Sequence, residues 1–294
     1  MKKGIIWGAG YWGNTAYSPL VTKYKMNIIA YADNCEEKRK GTLYGLPIVA
    51  GEDIKGLEYD LIFIAIYNDK QIAAVKQQIN QLGIPSDKVI ELVTDLNYID
   101  VFMTQRFEWI KDYACWLKEN SVGGSIAECG VYRGDSAKFL NIYFKDRRLY
   151  LFDTFEGFSM QDIEHEKKVN DQFETSKFNS DEIFKNTTID AVMKKMKYPE
   201  NVIIKQGYFP DSAEGVKEEF CFVNLDMDLY IPMLGGLRFF WDKLKTHGCI
   251  LLHDYFRNDL LGVREAVRTF EEELGIDIPK TPIGDGCSMA LFKY

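Results

Sequence analysis

The chain has 294 residues, enough for two domains, with 46% hydrophobic and 27% charged side chains, an ordinary soluble globular composition. A net charge of −8, from 36 Lys+Arg against 44 Asp+Glu, disfavours a nucleic-acid backbone as partner, because the summed field repels it. No apolar run is long enough to span a bilayer, and six cysteines without a CxxC pair argue against both a disulfide framework and a zinc site, pointing to a reduced, cytoplasmic location.

The opening Met1-Lys2-Lys3-Gly4-Ile5-Ile6-Trp7 has two lysines before apolar residues, but glycines break the run at once, so it reads as a first β-strand rather than an export signal. Gly8-Ala9-Gly10-Tyr11-Trp12-Gly13 and a helix follow. Strands are expected at Asn27–Ala32, ending at Asp33, and at Tyr59–Ile66, which is apolar almost throughout, as when helices cover both faces. A helix over Lys70–Leu82 closes at Gly83-Ile84-Pro85. This alternation predicts a small parallel Rossmann-like sheet over residues 1–95. Gly8, Gly10 and Gly13, with Asp33 about 20 residues on, match the spacing of a dinucleotide fingerprint. Three readings stay open for this unit: a nucleotide or nucleotide-sugar site, an NAD(P) site, or a scaffold without a ligand. The glycines of Gly41-x-x-x-Gly45-x-Pro47 look more like those of small Rossmann-like domains joined to sugar-modifying enzymes.

Residues 96–122 read as a helical connector with Phe102, Phe107, Ile110, Ala114 and Leu117 on one face. The second α/β unit, 96–294, then has strands expected at Ser125–Val131, Arg148–Asp153, Asn201–Gln206, Phe220–Asp228, Gly248–His253 and Cys287–Tyr294, with helices over Ala137–Phe144 and Pro232–Lys245. His247 is expected to cap the end of the latter helix, where a cation is favourable. The polar stretch 159–200 has no strand character and reads as a lid, an insertion or a solvated helical excursion.

Two constellations carry chemistry. In Glu128-Cys129-Gly130-Val131-Tyr132-Arg133-Gly134-Asp135-Ser136 an apolar strand enters a glycine turn and a helix, and the next strand ends at Asp153, placed to accept ribose hydroxyls. A turn that opens with a carboxylate and lacks GxGxxG suits a ligand with a cationic centre and no phosphates, such as S-adenosylmethionine (SAM); the plain alternative is a tight strand–helix turn with a surface carboxylate. The other constellation is Asp226-Met227-Asp228 and His253-Asp254, at the ends of two very apolar strands. Parallel pairing would set these groups along one rim, where carboxylates repel unless a cation sits between them. Such oxygen ligands suit Mg²⁺, Ca²⁺ or Mn²⁺, the last tolerating an imidazole. The alternative is that the aspartates are helix N-caps.

From Ile126 to Tyr255 the sequence resembles the macrocin O-methyltransferase family, metal-dependent enzymes that methylate sugar hydroxyls on macrolides and related products. The resemblance rests on Glu128-x-Gly130-Val131-Tyr132-Arg133-Gly134, Asp153-x-Phe155-Glu156-Gly157-Phe158, Gly207-Tyr208-Phe209-x-Asp211, Asp226-x-Asp228-x-Tyr230 and Asp254-Tyr255, in that order. It implies a class I SAM-methyltransferase sheet in the second unit. Glu128, Gly130 and Gly134 would cradle the methionine part of SAM, with Tyr132 and Ser136 on the same turn, and Asp153 would hold the ribose beside Phe155. Gly207, Tyr208 and Asp211 would border the adenine. Asp226 and Asp254 would hold Mg²⁺ or Mn²⁺, and Asp228 would be the general base. His253 stands where the family has a second aspartate, and is either a further ligand or a second base. The implied acceptor is a small saccharide or nucleotide-sugar; the acidic rim suits a sugar's vicinal diol and a catechol-like phenol alike, and a SAM-fold protein without catalysis is the rival from another class. A homo-oligomer is the general prior.

Overall fold

The computed structural model describes every residue except 96, 99, 100, 102–104, 172, 179–183, 185 and 186. Phe102 of the expected connector and part of the 159–200 stretch therefore lie outside the described residues. The chain forms two compact units, Met1–Met103 and Thr104–Tyr294.

The first unit contains β1 (Lys3–Trp7), α1 (Tyr11–Thr22), β2 (Asn27–Ala32), α2 (Glu36–Arg39), β3 (Thr42–Leu43), β4 (Leu46–Val49), β5 (Leu61–Ile64), α3 (Asp69–Gln81) and β6 (Val89–Glu91). Its sheet runs β3-β4-β2-β1-β5-β6, parallel apart from the β3–β4 hairpin. Alternation along the strands fills two cores. Ile5, Trp7, Ile62 and Ile64 pack on one face, and Ile6, Ile28, Tyr31 and Phe63 on the other. Strand order reverses on either side of β1, which opens a crevice beyond its carboxyl end.

The second unit contains α4 (Gln105–Glu119), β7 (Ser125–Cys129), α5 (Ala137–Tyr143), β8 (Leu149–Asp153), α6 (Met160–Val169), α7 (Thr175–Phe178), α8 (Ile189–Met193), β9 (Val202–Gln206), β10 (Phe220–Leu225), α9 (Tyr230–Lys243), β11 (Leu244–Leu252), α10 (Gly262–Leu274), β12 (Lys280–Pro282) and β13 (Met289–Phe292). The sheet order is β12-β13-β11-β10-β7-β8-β9, with β13 antiparallel to β11 and to β12, and the other pairs parallel. The order reverses around β7, so the carboxyl ends of β7, β8, β10 and β11 frame a single crevice. Both units are thus α/β, with mostly parallel sheets.

Several boundaries differ from the sequence reading. The strand expected to run through Asp228 ends at Leu225, because the chain turns there and Asp228 adopts a φ of 59°. β11 starts at Leu244, immediately after α9, so His247 does not cap a helix. It sits in the strand, where its N–H donates to the Lys293 carbonyl and its carbonyl accepts from the Tyr113 hydroxyl. α10, left unassigned by the sequence reading, buries Val263, Ala266, Val267 and Phe270, and stops at the left-handed Gly275. Within 159–200, α6 is tied into the unit through fully buried Glu166, whose carboxylate accepts from Tyr230 N at the start of α9 and Gly262 N at the start of α10. All six cysteines are free, and Cys129, Cys221 and Cys249 are buried. Among the described residues no helix is long and apolar enough to cross a membrane.

Candidate active site

The crevice begins at the end of β7. Gly130 has a φ of 85°, and a Cβ there would lie 1.9 Å from the Asp226 carbonyl oxygen. Only glycine lets the β7 turn lie this close to the β10 turn. Gly134 also has a positive φ, and its missing side chain leaves room for Val192 of α8. Asp153, at the end of β8, holds the turn in place. Its Oδ2 accepts from Val131 N at 2.7 Å and Tyr132 N at 2.8 Å, and its Oδ1 from Phe155 N at 2.7 Å. Tyr132 and Phe155 each adopt a positive φ in making these bonds. Asp153 therefore uses three of its roughly four acceptor positions on the backbone. Ser136 is the half-buried residue preceding α5 and makes no capping bond.

Gly207 N donates to the Asp153 carbonyl at 2.9 Å, which brings the β9 turn to the same rim. The Tyr208 hydroxyl donates to Asp162 of α6 at 2.8 Å, and burial and that carboxylate push its pKa upward. Asp211 is exposed just beyond.

Glu128, the next-to-last residue of β7, is fully buried. Its Oε1 accepts from Asn224 Nδ2 at 2.8 Å, while Oε2 has no partner among the described residues. Burial, reinforced by the nearby Asp226 charge, pushes its pKa up to about 8.

The acidic rim lies beyond β10 and β11, whose register sets Leu225 opposite Leu252. Asp226, Asp228 and Asp254 each bring an oxygen within 4.8 Å of the others, and His253, Asp254 and Cys287 form a second such group. Asp228 and Asp254 both have φ near +60°, strain of the kind that collects at functional sites. The helix-cap alternative does not describe these aspartates: Leu229 precedes α9 and Leu261 precedes α10 at the cap positions.

Charge here is partly balanced from within. Arg106 Nη2 donates to Asp226 Oδ2 at 3.2 Å and to Asn224 Oδ1 at 2.6 Å. His253 Nδ1 lies 3.0 Å from Asp226 Oδ1 and 3.1 Å from Asp254 Oδ2, at ion-pairing distance but off the line of a well-formed hydrogen bond. Burial opposes a charged imidazole, yet the two carboxylates win and push the His253 pKa up to about 12. Burial likewise opposes charge on Asp226 and Asp254, but His253 holds both below the usual carboxylate range, helped by Arg106 at Asp226 and Arg257 at Asp254. Asp228 goes the other way: burial and the neighbouring Asp254 and Asp226 raise its pKa well above the ordinary value.

Arg106 and Asn224 were missed in the sequence. Arg106 occupies a buried register position of α4 together with Ile110, Ala114 and Leu117, and Asn224 is the polar interruption in the wholly buried Phe220–Leu225 strand. A charge on an apolar stripe and an amide in a core strand were the available signals.

A mostly parallel seven-stranded sheet with antiparallel β13 and a glycine turn at its switch point has the class I SAM-methyltransferase architecture. The model of the macrocin O-methyltransferase family matches residues 68–290, and the chain belongs to that family. A second model, described as C2185-like, N-terminal, matches residues 1–90. Among solved structures, the O-methyltransferase NovP is similar at 18% identity with a TM-score of 0.56, over 64% of this chain and 79% of NovP. CalS11, described as a calicheamicin methyltransferase, is similar at 16% identity with a TM-score of 0.51, over 77% of this chain and 94% of its own. No curated protein matches the sequence.

Proposed function

We propose that the chain transfers the methyl group of SAM to a saccharide hydroxyl, with a divalent cation at Asp226, Asp254 and His253 and with Asp228 as general base. The observation that carries this reading is the convergence of Asp226, Asp228 and Asp254 beside the Glu128–Gly134 turn. The family supports an O-methyl product, and its resemblance to enzymes acting on sugar hydroxyls supports a vicinal diol as acceptor.

The residues fit both absent groups. For SAM there is a turn that only glycine permits, and a buried carboxylate oxygen of Glu128 without a partner, suited to the α-ammonium group. Asp153 retains about one acceptor position for a ribose hydroxyl, and the Gly207–Asp211 turn, Phe155, Tyr132 and Ser136 border the rest. For a cation there are three carboxylates of hard oxygen donors, as Mg²⁺ or Mn²⁺ prefers. A cation held there supplies Lewis-acid polarisation of an acceptor hydroxyl. Bound cation would compete with His253 for Asp226 and Asp254, leaving the imidazole to serve as a ligand or to turn toward the acceptor.

The protein's own part is positioning and proton transfer. Asp226 and Asp254 orient the acceptor, Glu128 and Asp153 fix the donor, and Asp228 takes the hydroxyl proton as the methyl moves. In this division of labour residues 96–294 perform the transfer and residues 1–95 serve a separate role. The test is methyl transfer from labelled SAM to a panel of glycosides, nucleotide-sugars and catechols, with Mg²⁺ or Mn²⁺. Transfer to a sugar, lost by at least about 100-fold in Asp228→Asn with S-adenosylhomocysteine binding intact, supports the reading. Transfer to catechols alone contradicts the saccharide assignment, and full turnover by Asp228→Asn contradicts the base.

A further inference from the structure

The first unit contains a cavity of about 510 Å³ beyond the carboxyl end of β1, within the range of small-molecule sites. The glycine turn forms one wall, and its three glycines are there for different reasons. Gly8 has a φ of 111°, and a Cβ would lie 2.8 Å from the Ala65 carbonyl oxygen. A Cβ on Gly13 would lie 1.8 Å from the Gly8 carbonyl oxygen, so the fold itself demands glycine at both. Gly10 is different. Its φ of −102° suits any residue, and a Cβ would meet only Lys38 Nζ, at 3.6 Å. Packing within the protein does not account for a glycine here, whereas close approach of a ligand to the backbone does.

The charges point the same way. Gly10 is the N-cap of the 12-residue helix α1, which has no side-chain cap and no acidic residue in its first turn. Its first N–H groups therefore have no side-chain cap. Lys38 stands at this same end, paired with Asp33 at 3.0 Å. An anion placed between the helix N-terminus and Lys38 would be attracted by both. With Lys38, Ala9 N at 2.7 Å and Cys35 N at 2.8 Å already donating to it, Asp33 keeps about one acceptor position for a ribose hydroxyl. Trp7, 1% exposed, closes the base of the cavity. The stacked Trp12 and Tyr67 rings, 4.5 Å apart, and the side chains of Ile66 and Val75 give the cavity an apolar side wide enough for a base.

We propose that this cavity binds a nucleoside diphosphate group, with the diphosphate on the Gly8–Gly13 turn against Lys38, the ribose at Asp33 and the base beside Trp12 and Tyr67. Free nucleotides, nucleotide-sugars and dinucleotides all contain this group. The site goes beyond the methyl-transfer reading and does not depend on it.

The test is calorimetric titration of the full chain with ADP, UDP, UDP-glucose, NADH and inorganic pyrophosphate. Saturating S-adenosylhomocysteine is present throughout, so that adenine cannot be captured by the second unit, and its own binding is measured separately. Lys38→Glu and Lys38→Arg are compared with wild type; Lys38 is half-exposed, so neither change disturbs a core. The expected result is binding of at least one nucleotide with Kd below about 1 mM, weakened at least about tenfold by Lys38→Glu and largely preserved by Lys38→Arg. The preferred ligand then tells a nucleotide-sugar from a dinucleotide. No nucleotide binding in this range, or binding indifferent to Lys38→Glu, overturns the site. Pyrophosphate binding as tightly as the nucleotides overturns the nucleoside assignment. Failure of S-adenosylhomocysteine to bind would count against the methyltransferase reading alone.

Discussion

In the proposed function, Glu128 is the residue on which donor binding turns. A fully buried carboxyl with a pKa of about 8 is largely protonated at neutral pH, and one of its oxygens has no partner. A ligand ammonium binds best to the ionised form, so cofactor binding should be coupled to loss of this proton. The sign follows from the raised pKa: below pH 8 part of the binding energy is used in deprotonation, and above it none is. S-adenosylhomocysteine affinity should therefore rise by up to about tenfold per pH unit toward pH 8 and then level off. Calorimetry between pH 6 and 9 measures this, and Glu128→Gln should flatten the profile while lowering the affinity. A pH-independent affinity in wild type would contradict the role given to Glu128. At this scale the sequence displayed the acidic and glycine residues but not their partners. Arg106 is 120 positions from the Asp226 it contacts, and only folding brings a charge on α4 to a carboxylate beyond β10. The raised pKa of Asp228 relative to its neighbours was equally hidden, since it arises from burial and mutual repulsion rather than from residue type.

At the scale of elements, the strands were the most legible feature, because buried parallel strands read as apolar runs bounded by glycine and polar residues. The polar 159–200 stretch was the least legible. Its helix α6 carries charges that look solvated in sequence, yet Asp162 and Glu166 are buried as hydrogen-bond partners for other elements. Glu166 joins the N-termini of α9 and α10, the positions where a carboxylate best complements a helix. Removing it strands two buried N–H groups. Glu166→Ala should destabilise the protein by about 2–4 kcal/mol, read as a lower denaturation midpoint with unchanged slope, and Glu166→Gln by less because it keeps an acceptor. An unchanged midpoint in Glu166→Ala would show that α6 is not held in this way. α10 was legible in principle, since its buried positions follow a helical period, but the short loop residues before it offer no capping side chain to announce its start.

For the whole molecule, two α/β units each reverse strand order around a central strand, and each places a glycine turn and an acidic strand end at that switch point. Asp33 and Asp153 play parallel local parts: each accepts backbone N–H groups from the glycine turn of its own unit. Both turns were visible in the sequence through glycine spacing and the following aspartate. What differs is charge. The first turn is accompanied by Lys38, and the second by Glu128 and the carboxylates of the acidic rim. The two proposals accordingly differ in charge: an anionic ligand in the first unit, and a cationic ligand with a metal in the second. The account's central claim is that the second unit binds SAM and a divalent cation in one crevice. Its most direct test is titration of metal-stripped protein with S-adenosylhomocysteine and then with Mg²⁺ or Mn²⁺, wild type beside Asp254→Asn. The account predicts nucleoside binding in both proteins and cation uptake in wild type that Asp254→Asn abolishes. Cation uptake unaffected by Asp254→Asn, or none in wild type because Arg106 and His253 already neutralise the rim, would contradict it.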